Sequence, residues 1–265
     1  MTRIFYKFAI LIISFLKFLL KKRGNGFIYR IQSNLDSKNY FKYELQNTVI
    51  DIYAPNEIIK WRYDTIFSKE PETIEWINDF EKNTDLTFWD IGANVGIYSL
   101  YAALKHDNLK IVAFEPSTSN LRVLSRNISI NNLENKIFIS QLPLFDKENR
   151  FQKMSEGDFV EGSALNAFSV NYGFDGKEFK PKNSYNLLGT SINFLLENKI
   201  LNVPNYIKID VDGIEDLILK GGDKFLNHHK IKSILIEINE NFKEQKNKAL
   251  DILKENNFEL KYKKH

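Results

Sequence analysis

From residue 86 onward, short apolar runs alternate with segments whose apolar residues recur every three or four positions. "LTFWDIG", "LKIVAFEP", "KIFISQLPLF", "YIKIDVDG" and "IKSILIEIN" are short, β-branched or aromatic, and bounded by turn residues. They predict buried strands. "IYSLYAALKH", "NLRVLSRNISINN", "IEDLILKGGDKFLNHH" and "KALDILKENN" carry the helical period, and "FELKYKK" offers a closing strand. Strands that are apolar on both faces and separated by helices predict an α/β fold. The expected sheet is doubly wound and mostly parallel, with helices on both faces.

The alternation fails over residues 147–189, a polar and aromatic stretch with little period. Such a segment inside an α/β domain predicts a substrate loop or lid. The main domain is expected over 84–265, preceded by an extension, 23–83, that packs on it. Within the extension, "KKRGNG" reads as a hinge and residues 27–65 as a few strands. "SKEPETIEWINDFEK" reads as a helix capped by Ser68, with Pro71 in its first turn and Ile74 and Ile77 inward.

Residues 1–22 form a different pattern. "IFYKFAILIISFLKFLL" is apolar, but Lys7 and Lys17 leave an uninterrupted run of only nine residues. A spanning helix needs about 20. At 100° per residue, Arg3, Lys7, Ser14, Lys17 and Lys21 fall on one stripe, and Phe5, Phe8, Leu11, Ile12, Phe15, Leu16 and Leu19 cover the rest. This predicts a basic amphipathic helix. Three uses fit it: docking on the domain or a partner subunit, peripheral membrane contact through residues 3–21, or an uncleaved signal anchor.

Composition narrows the function. The net charge of +3 is too small and dispersed for a nucleic-acid binder. With no cysteine, disulfides and thiolate metal sites are excluded, and a reducing compartment fits. The expected location is cytoplasmic, with contact at the inner face of the cell membrane as an extension of that reading.

In a doubly wound sheet, ligands bind beyond the carboxyl ends of the strands. The first such end reads D-I-G-A-N-V-G, with Asp90, Gly92, Asn94 and Gly96. A dinucleotide turn would place a glycine where Asn94 stands and would not put an acid beside a diphosphate. Asp90 suits a ligand with a cationic end, and S-adenosylmethionine carries an ammonium and a sulfonium but no phosphate. The second strand ends in Glu115-Pro116, nineteen residues after Gly96. A carboxylate there accepts both ribose hydroxyls. Asp146 follows the third strand, Asp210 ends the fourth, and Glu237 and Asn239 end the fifth.

"FWDIGANVGIYSL", "VAFEPSTSNLRVLSRNISINNL" and "YIKIDVDGIEDLILKGG" resemble, in order and at fitting intervals, the blocks of FkbM-type S-adenosylmethionine-dependent methyltransferases. "SILIEIN" is similar to the strand that follows in that family. The resemblance covers roughly residues 86–239. It implies a seven-stranded, Rossmann-like methyltransferase sheet and O-methylation of sugar or polyketide hydroxyls. Bacterial members often stand among polysaccharide-building genes, so a surface polysaccharide or glycolipid is the expected acceptor. Two departures stand out: Ser191-Ile192-Asn193 replaces the usual T-L-D, and Asp212 stands where Glu is common.

A sugar hydroxyl is a poor nucleophile, so a base or a metal is expected. His106, His228, His229 and His265 fall late in helices, just after them or at the terminus, where solvent is favoured. Asp210 is the candidate base, with Lys208 on its face of the strand to keep it ionised. Glu215 starts the next helix, where an acid is favoured by the helix dipole. Asp210, Glu237 and Asn239 form a candidate all-oxygen Mg²⁺ site. For the acceptor, Phe168, Tyr172 and Phe174 are candidates to stack on sugar faces, and Asn166 and Asn171 to read hydroxyls. Two other classes remain open: a cofactor-binding module without catalysis, and an NAD-dependent oxidoreductase, which Asn94 disfavours.

Overall fold

The computed structural model describes residues 2–45, 48–82 and 84–263. Outside them fall His265, Lys264 at the end of the expected last strand, and Met1, Gln46, Asn47 and Asn83 at segment edges. Helix α1 (Thr2–Leu19) passes through a 3-10 turn (Lys21–Arg23) into α2 (Gly24–Asp36). Strands β1 (Tyr40–Leu45) and β2 (Thr48–Tyr53) pair antiparallel, and α3 (Glu57–Asp64), α4 (Ile66–Lys69) and α5 (Pro71–Asn78) follow. Then come β3 (Leu86–Ile91), α6 (Ile97–Lys105), β4 (Leu109–Phe114), α7 (Thr118–Ile130) and β5 (Ile137–Ser140). An insertion holds β6 (Arg150–Glu156), β7 (Asn166–Phe168) and β8 (Asn183–Gly189). The chain continues with α8 (Ile192–Glu197), β9 (Tyr206–Ile209), α9 (Glu215–Lys220), β10 (Ser233–Ile236) and α10 (Lys243–Glu255).

The central sheet is parallel throughout, in the order β10-β9-β3-β4-β5. The chain winds outward from β3 through β4 to β5, then returns to lay β9 on the other side of β3. The switch point therefore lies between β3 and β9. Both faces are buried because side chains alternate along each strand. On β3, Leu86 and Phe88 join one core cluster, and Trp89 and Ile91 join the other. Helices α6 and α7 cover the first face, and α8, α9 and α10 the second.

The extension contributes to the first core rather than lying over it. Ile50, Ile52, Ile59, Ile74, Ile77 and Phe80 are all buried there. Phe80 stacks on Tyr206 of β9, with 3.8 Å between ring centroids, and meets Trp76 edge-on. Strand β2 has no further strand beside it, and amides of α7 satisfy its backbone instead. Asn127 Oδ1 accepts from Tyr53 N at 2.8 Å, and Asn131 bonds both N and O of Asp51.

Several sequence expectations are corrected. The parallel sheet has five strands among the described residues, not seven, and 258–263 joins no ladder. Residues 147–189 are not unpatterned: β7-β6-β8 make a three-stranded antiparallel sheet. Its pleat was hidden because both faces mix polar and aromatic residues. Gly24 begins α2, so the expected hinge is a packed helical corner, and residues 27–65 hold two helices besides the hairpin. Ser68 lies inside α4, and Glu70 precedes α5 without a side-chain cap. His106 is buried rather than solvent-facing, with Nε2 2.8 Å from Ile77 O and its ring against Phe80.

Replacing Phe80 with Ala should lower stability by about 3–5 kcal/mol in one cooperative urea transition. A loss below about 1 kcal/mol would show that this helix end contributes little to the core.

Candidate functional site

The cleft opens at the carboxyl ends of β3, β4 and β9, as the switch point requires. It is lined among others by Gly92, Asn94, Glu115, Pro116, Asp210 and Asp212. The turn after β3 is shaped by close approach. Gly92 has φ +86, and a Cβ there would stand 1.9 Å from the carbonyl oxygen of Asp210. Its N–H and that of Ala93 both reach Phe114 O at 3.0 Å, locking the turn to β4. Asn94 adopts φ +52, a left-handed conformation that asparagine tolerates. Gly96, at φ +88, caps α6 and lies against Leu124, away from the cleft.

Glu115 is buried, and its oxygens accept from Asn94 N at 2.7 Å and Ser117 N at 2.8 Å. Burial nevertheless outweighs these bonds and pushes its carboxyl up to about 7. The loop at 161–164 covers this end of the cleft. Asn94 Nδ2 donates to Ser163 O at 2.9 Å, and Asn120 Oδ1 accepts from Gly162 N at 2.8 Å.

Asp90 is placed differently from expectation. It lies beneath the turn, about 1% exposed, with Oδ2 accepting from Ser99 Oγ at 2.6 Å and Oδ1 unpartnered. The register that pairs Asp90 with Lys208 explains this, since both point to the same buried face. Lys208 is equally buried and donates to Asp210 Oδ2 at 2.6 Å. Burial opposes its charge, but Asp210, Asp90 and Glu70 together hold the ammonium above its ordinary value. Burial would likewise raise Asp210, but Lys208 outweighs it and keeps that carboxylate well below the ordinary range. Asp210 is thus the carboxylate held ionised at the cleft.

Glu237 stands beside it on β10, one position beyond the Ile236–Ile209 pair. Its hydrogen bond with Asp210, and that group's charge, push the Glu237 carboxyl up to about 8. Two residues that the sequence analysis did not single out complete the cluster. Tyr98, from the first turn of α6, donates to Glu70 at 2.7 Å, and Lys208 lies 5.0 Å over its ring. Tyr98 sits two residues after the glycine turn, a spacing that could have marked it; Glu70 arrives only through the packing of α5.

The remaining candidates separate. Asp146 does not line the cleft: its Oδ2 takes Lys220 Nζ at 2.9 Å, because the chain after β5 crosses toward α9. Asn239 spends its amide on Phe174 O at 3.0 Å and on Asn241 N at 2.9 Å. With Asp210 tied to Lys208 and Glu237, this donor set does not fit Mg²⁺. Among the described residues, no group of three or more His, Cys, Asp or Glu stands ready to hold a metal.

Glu215 is a buried strut that accepts from Gly213 N at 3.1 Å and from Gln245. Asn193 binds Asp223 at 2.7 Å, outside the cleft lining, so the departure at Ser191-Ile192-Asn193 falls on a helix-capping corner. Asp212 Oδ2 accepts from Leu165 N at 2.7 Å and joins the β9 loop to the insertion. Phe168 is buried against Phe145 and also lines the cleft, and Tyr172 packs edge-on to Phe242. Phe174 is exposed, and Asn166 lines the cleft with a buried, unpartnered Oδ1.

A doubly wound parallel sheet, a glycine turn at its switch point and an acid ending the next strand define a nucleoside-binding α/β protein. Within that class, residues 90–260 match the family described as Methyltransferase FkbM domain, and the chain belongs to that family. A methyltransferase, sdnD, of Sordaria araneosa is 50% identical over 42 residues, 16% of each chain. The crystal structure of Methyltransferase FkbM from Methylobacillus flagellatus KT is 17% identical, with a TM-score of 0.42, over 64% of this chain and 37% of that one. Precorrin-6y C5,15-methyltransferase from Geobacter metallireducens GS-15 is 15% identical, with a TM-score of 0.42, over 72% of each chain. The chain thus spans well under half of the sdnD protein and of the Methylobacillus structure. These likenesses are remote, and the family assignment rests on the family match.

Replacing Gly92 with Ala should lower stability by at least about 2 kcal/mol in urea unfolding, from left-handed strain and the contact with Asp210 O. A change under about 0.5 kcal/mol would show that the turn can move away from β9.

Proposed function

We propose that the protein is an S-adenosylmethionine-dependent O-methyltransferase acting on a sugar hydroxyl, in a surface polysaccharide or glycolipid. One observation carries the reading. The described cleft lining holds Glu115, Asp210 and Asp212 and no Lys or Arg. An anionic cleft opposes the diphosphate of NAD and favours a ligand with a diol and a cationic end. Family membership supports the same cofactor and reaction class.

When bound, the cofactor supplies a methyl group on a positively charged sulfur. Glu115, in the cleft wall, would hold the ribose diol. Asp210, kept ionised by Lys208, faces the cationic end. Asp90 acts on the site through Lys208, as a positioning residue. That methyl group would pass to the acceptor oxygen, with the carbon–sulfur electron pair left on sulfur. The proton of the hydroxyl passes to the Asp210–Glu237 pair. Asp210 alone is a weak base, because Lys208 stabilises its charge. Glu237, with its carboxyl near 8, is better matched to take a proton near neutral pH. The polar surroundings of Tyr98 and Glu70 suit a hydroxyl-rich acceptor.

Calorimetry should show binding of S-adenosylmethionine and S-adenosylhomocysteine and none of NAD; binding of NAD alone would overturn the reading. A diol strengthens the ionised form of Glu115, so affinity for S-adenosylhomocysteine should rise as pH climbs toward 7 and level off above it. A pH-independent affinity would remove Glu115 from the diol site. With glycan acceptors, activity should rise with pH up to about 8. Glu237→Gln should erase that limb and lower kcat about 100-fold or more, with cofactor affinity unchanged. Unchanged kcat in that variant rules Glu237 out as the base.

A further inference from the structure

We propose that α1 docks the protein on an anionic lipid surface, lying in the plane of the membrane rather than crossing it. The side chains of α1 are almost entirely uncovered. Phe8 is 62% exposed, Leu11 67%, Phe15 60% and Phe18 77%. Only Ile13 and Leu16 are half-buried. Some eighteen residues of helix span about 27 Å, less than the roughly 30 Å hydrocarbon core, and Lys7 and Lys17 interrupt the apolar surface. No described helix is long and apolar enough to cross a membrane.

Charge identifies the occupant. Residues 1–35 carry Arg3, Lys7, Lys17, Lys21, Lys22, Arg23 and Arg30 and not one acid; the first is Asp36. A second copy of this helix would bring like charge against like charge. A protein groove takes a narrow apolar stripe, whereas here Phe18, Phe15, Leu19, Leu16, Ile13 and Tyr6 run through about 240° of the circumference at 100° per residue. A headgroup layer with acyl chains beneath it accepts that wide apolar face and the basic stripe together.

The helix is held at a set angle to the cleft. Gly24 is buried against Lys17, where a Cβ would stand 2.4 Å from the Lys17 carbonyl oxygen. That contact fixes the corner between α1 and α2. At the far end of α2, Asp36 receives Arg126 at 3.2 Å and lies 3.6 Å from Arg122, both on α7. Arg122 also binds Glu161 at 2.7 Å, beside the loop that covers the cleft, and Asn120, two residues earlier on α7, lines it. Docking through α1 therefore links the lipid surface to the cleft through α2 and α7.

Cosedimentation of the full-length protein with vesicles tests this. Vesicles of phosphatidylcholine with phosphatidylglycerol should bind it, and phosphatidylcholine alone should bind it far less. Added salt should weaken the binding. The triple variant Arg3→Gln, Lys7→Gln, Lys17→Gln should partition on the order of 100-fold less, at about fivefold per basic residue near such a surface. Phe8→Ser, Leu11→Ser, Phe15→Ser should abolish binding, while both variants keep the parent Tm. Failure to bind anionic vesicles overturns the proposal, as does equal binding by the variants. A dimer seen by light scattering that the apolar variant dissolves would assign the face to a second copy instead.

Discussion

A lysine ammonium buried between two strands governs the rest of this site. Lys208 lies at the centre of the sheet, where an unpaired charge would cost several kcal/mol. It persists because Asp210 meets it on its own strand and Asp90 stands opposite in register. This triad fixes the protonation states around it. Asp210 stays ionised at the cleft, and Glu237, beside an obligatory negative charge, keeps its proton to a higher pH. A neutral residue at 208 would leave burial of Asp210 largely unopposed, raise its carboxyl and blur the division of labour between the two acids.

The same junction sets the backbone. The Gly92 turn rests directly on the Asp210 carbonyl, so the end of β3 and the end of β9 move as one piece. From that piece the turn reaches β4 through Phe114 and Glu115, and the covering loop through Asn94. The cleft is thus built on strand ends that share hydrogen bonds, and only its cover is carried by the β6–β8 insertion. A proton-transfer site and a nucleoside site stand side by side because the switch point places β3 between β4 and β9.

Much of this was legible in the residues. Short apolar runs between helical patterns marked the sheet strands β3, β4, β5, β9 and β10, and the glycine turn and Glu115 stood out by spacing. Other features were not. Asp90 read as a ligand-facing acid, since sequence shows that a residue ends a strand but not which neighbour its face meets. Asp146 read as a strand-end acid, since nothing local shows where the chain turns after β5. His106 read as solvent-facing, since its cover comes from Ile77 and Phe80 in the extension.

What the sequence determined alone is local: the strands and helices whose apolar period is set by 3.6 or 2 residues, the positions where only glycine fits, and the basic, apolar character of residues 1–22. Family resemblance reached the same core from the same motifs. Tertiary structure alone decided which charges meet. Asp90, Lys208, Asp210 and Glu237 come from three strands and their ends, Glu70 from the residue before α5 and Tyr98 from α6. Their protonation depends on distances of a few ångströms and on exclusion of water, and neither is written in the spacing of residues along one chain.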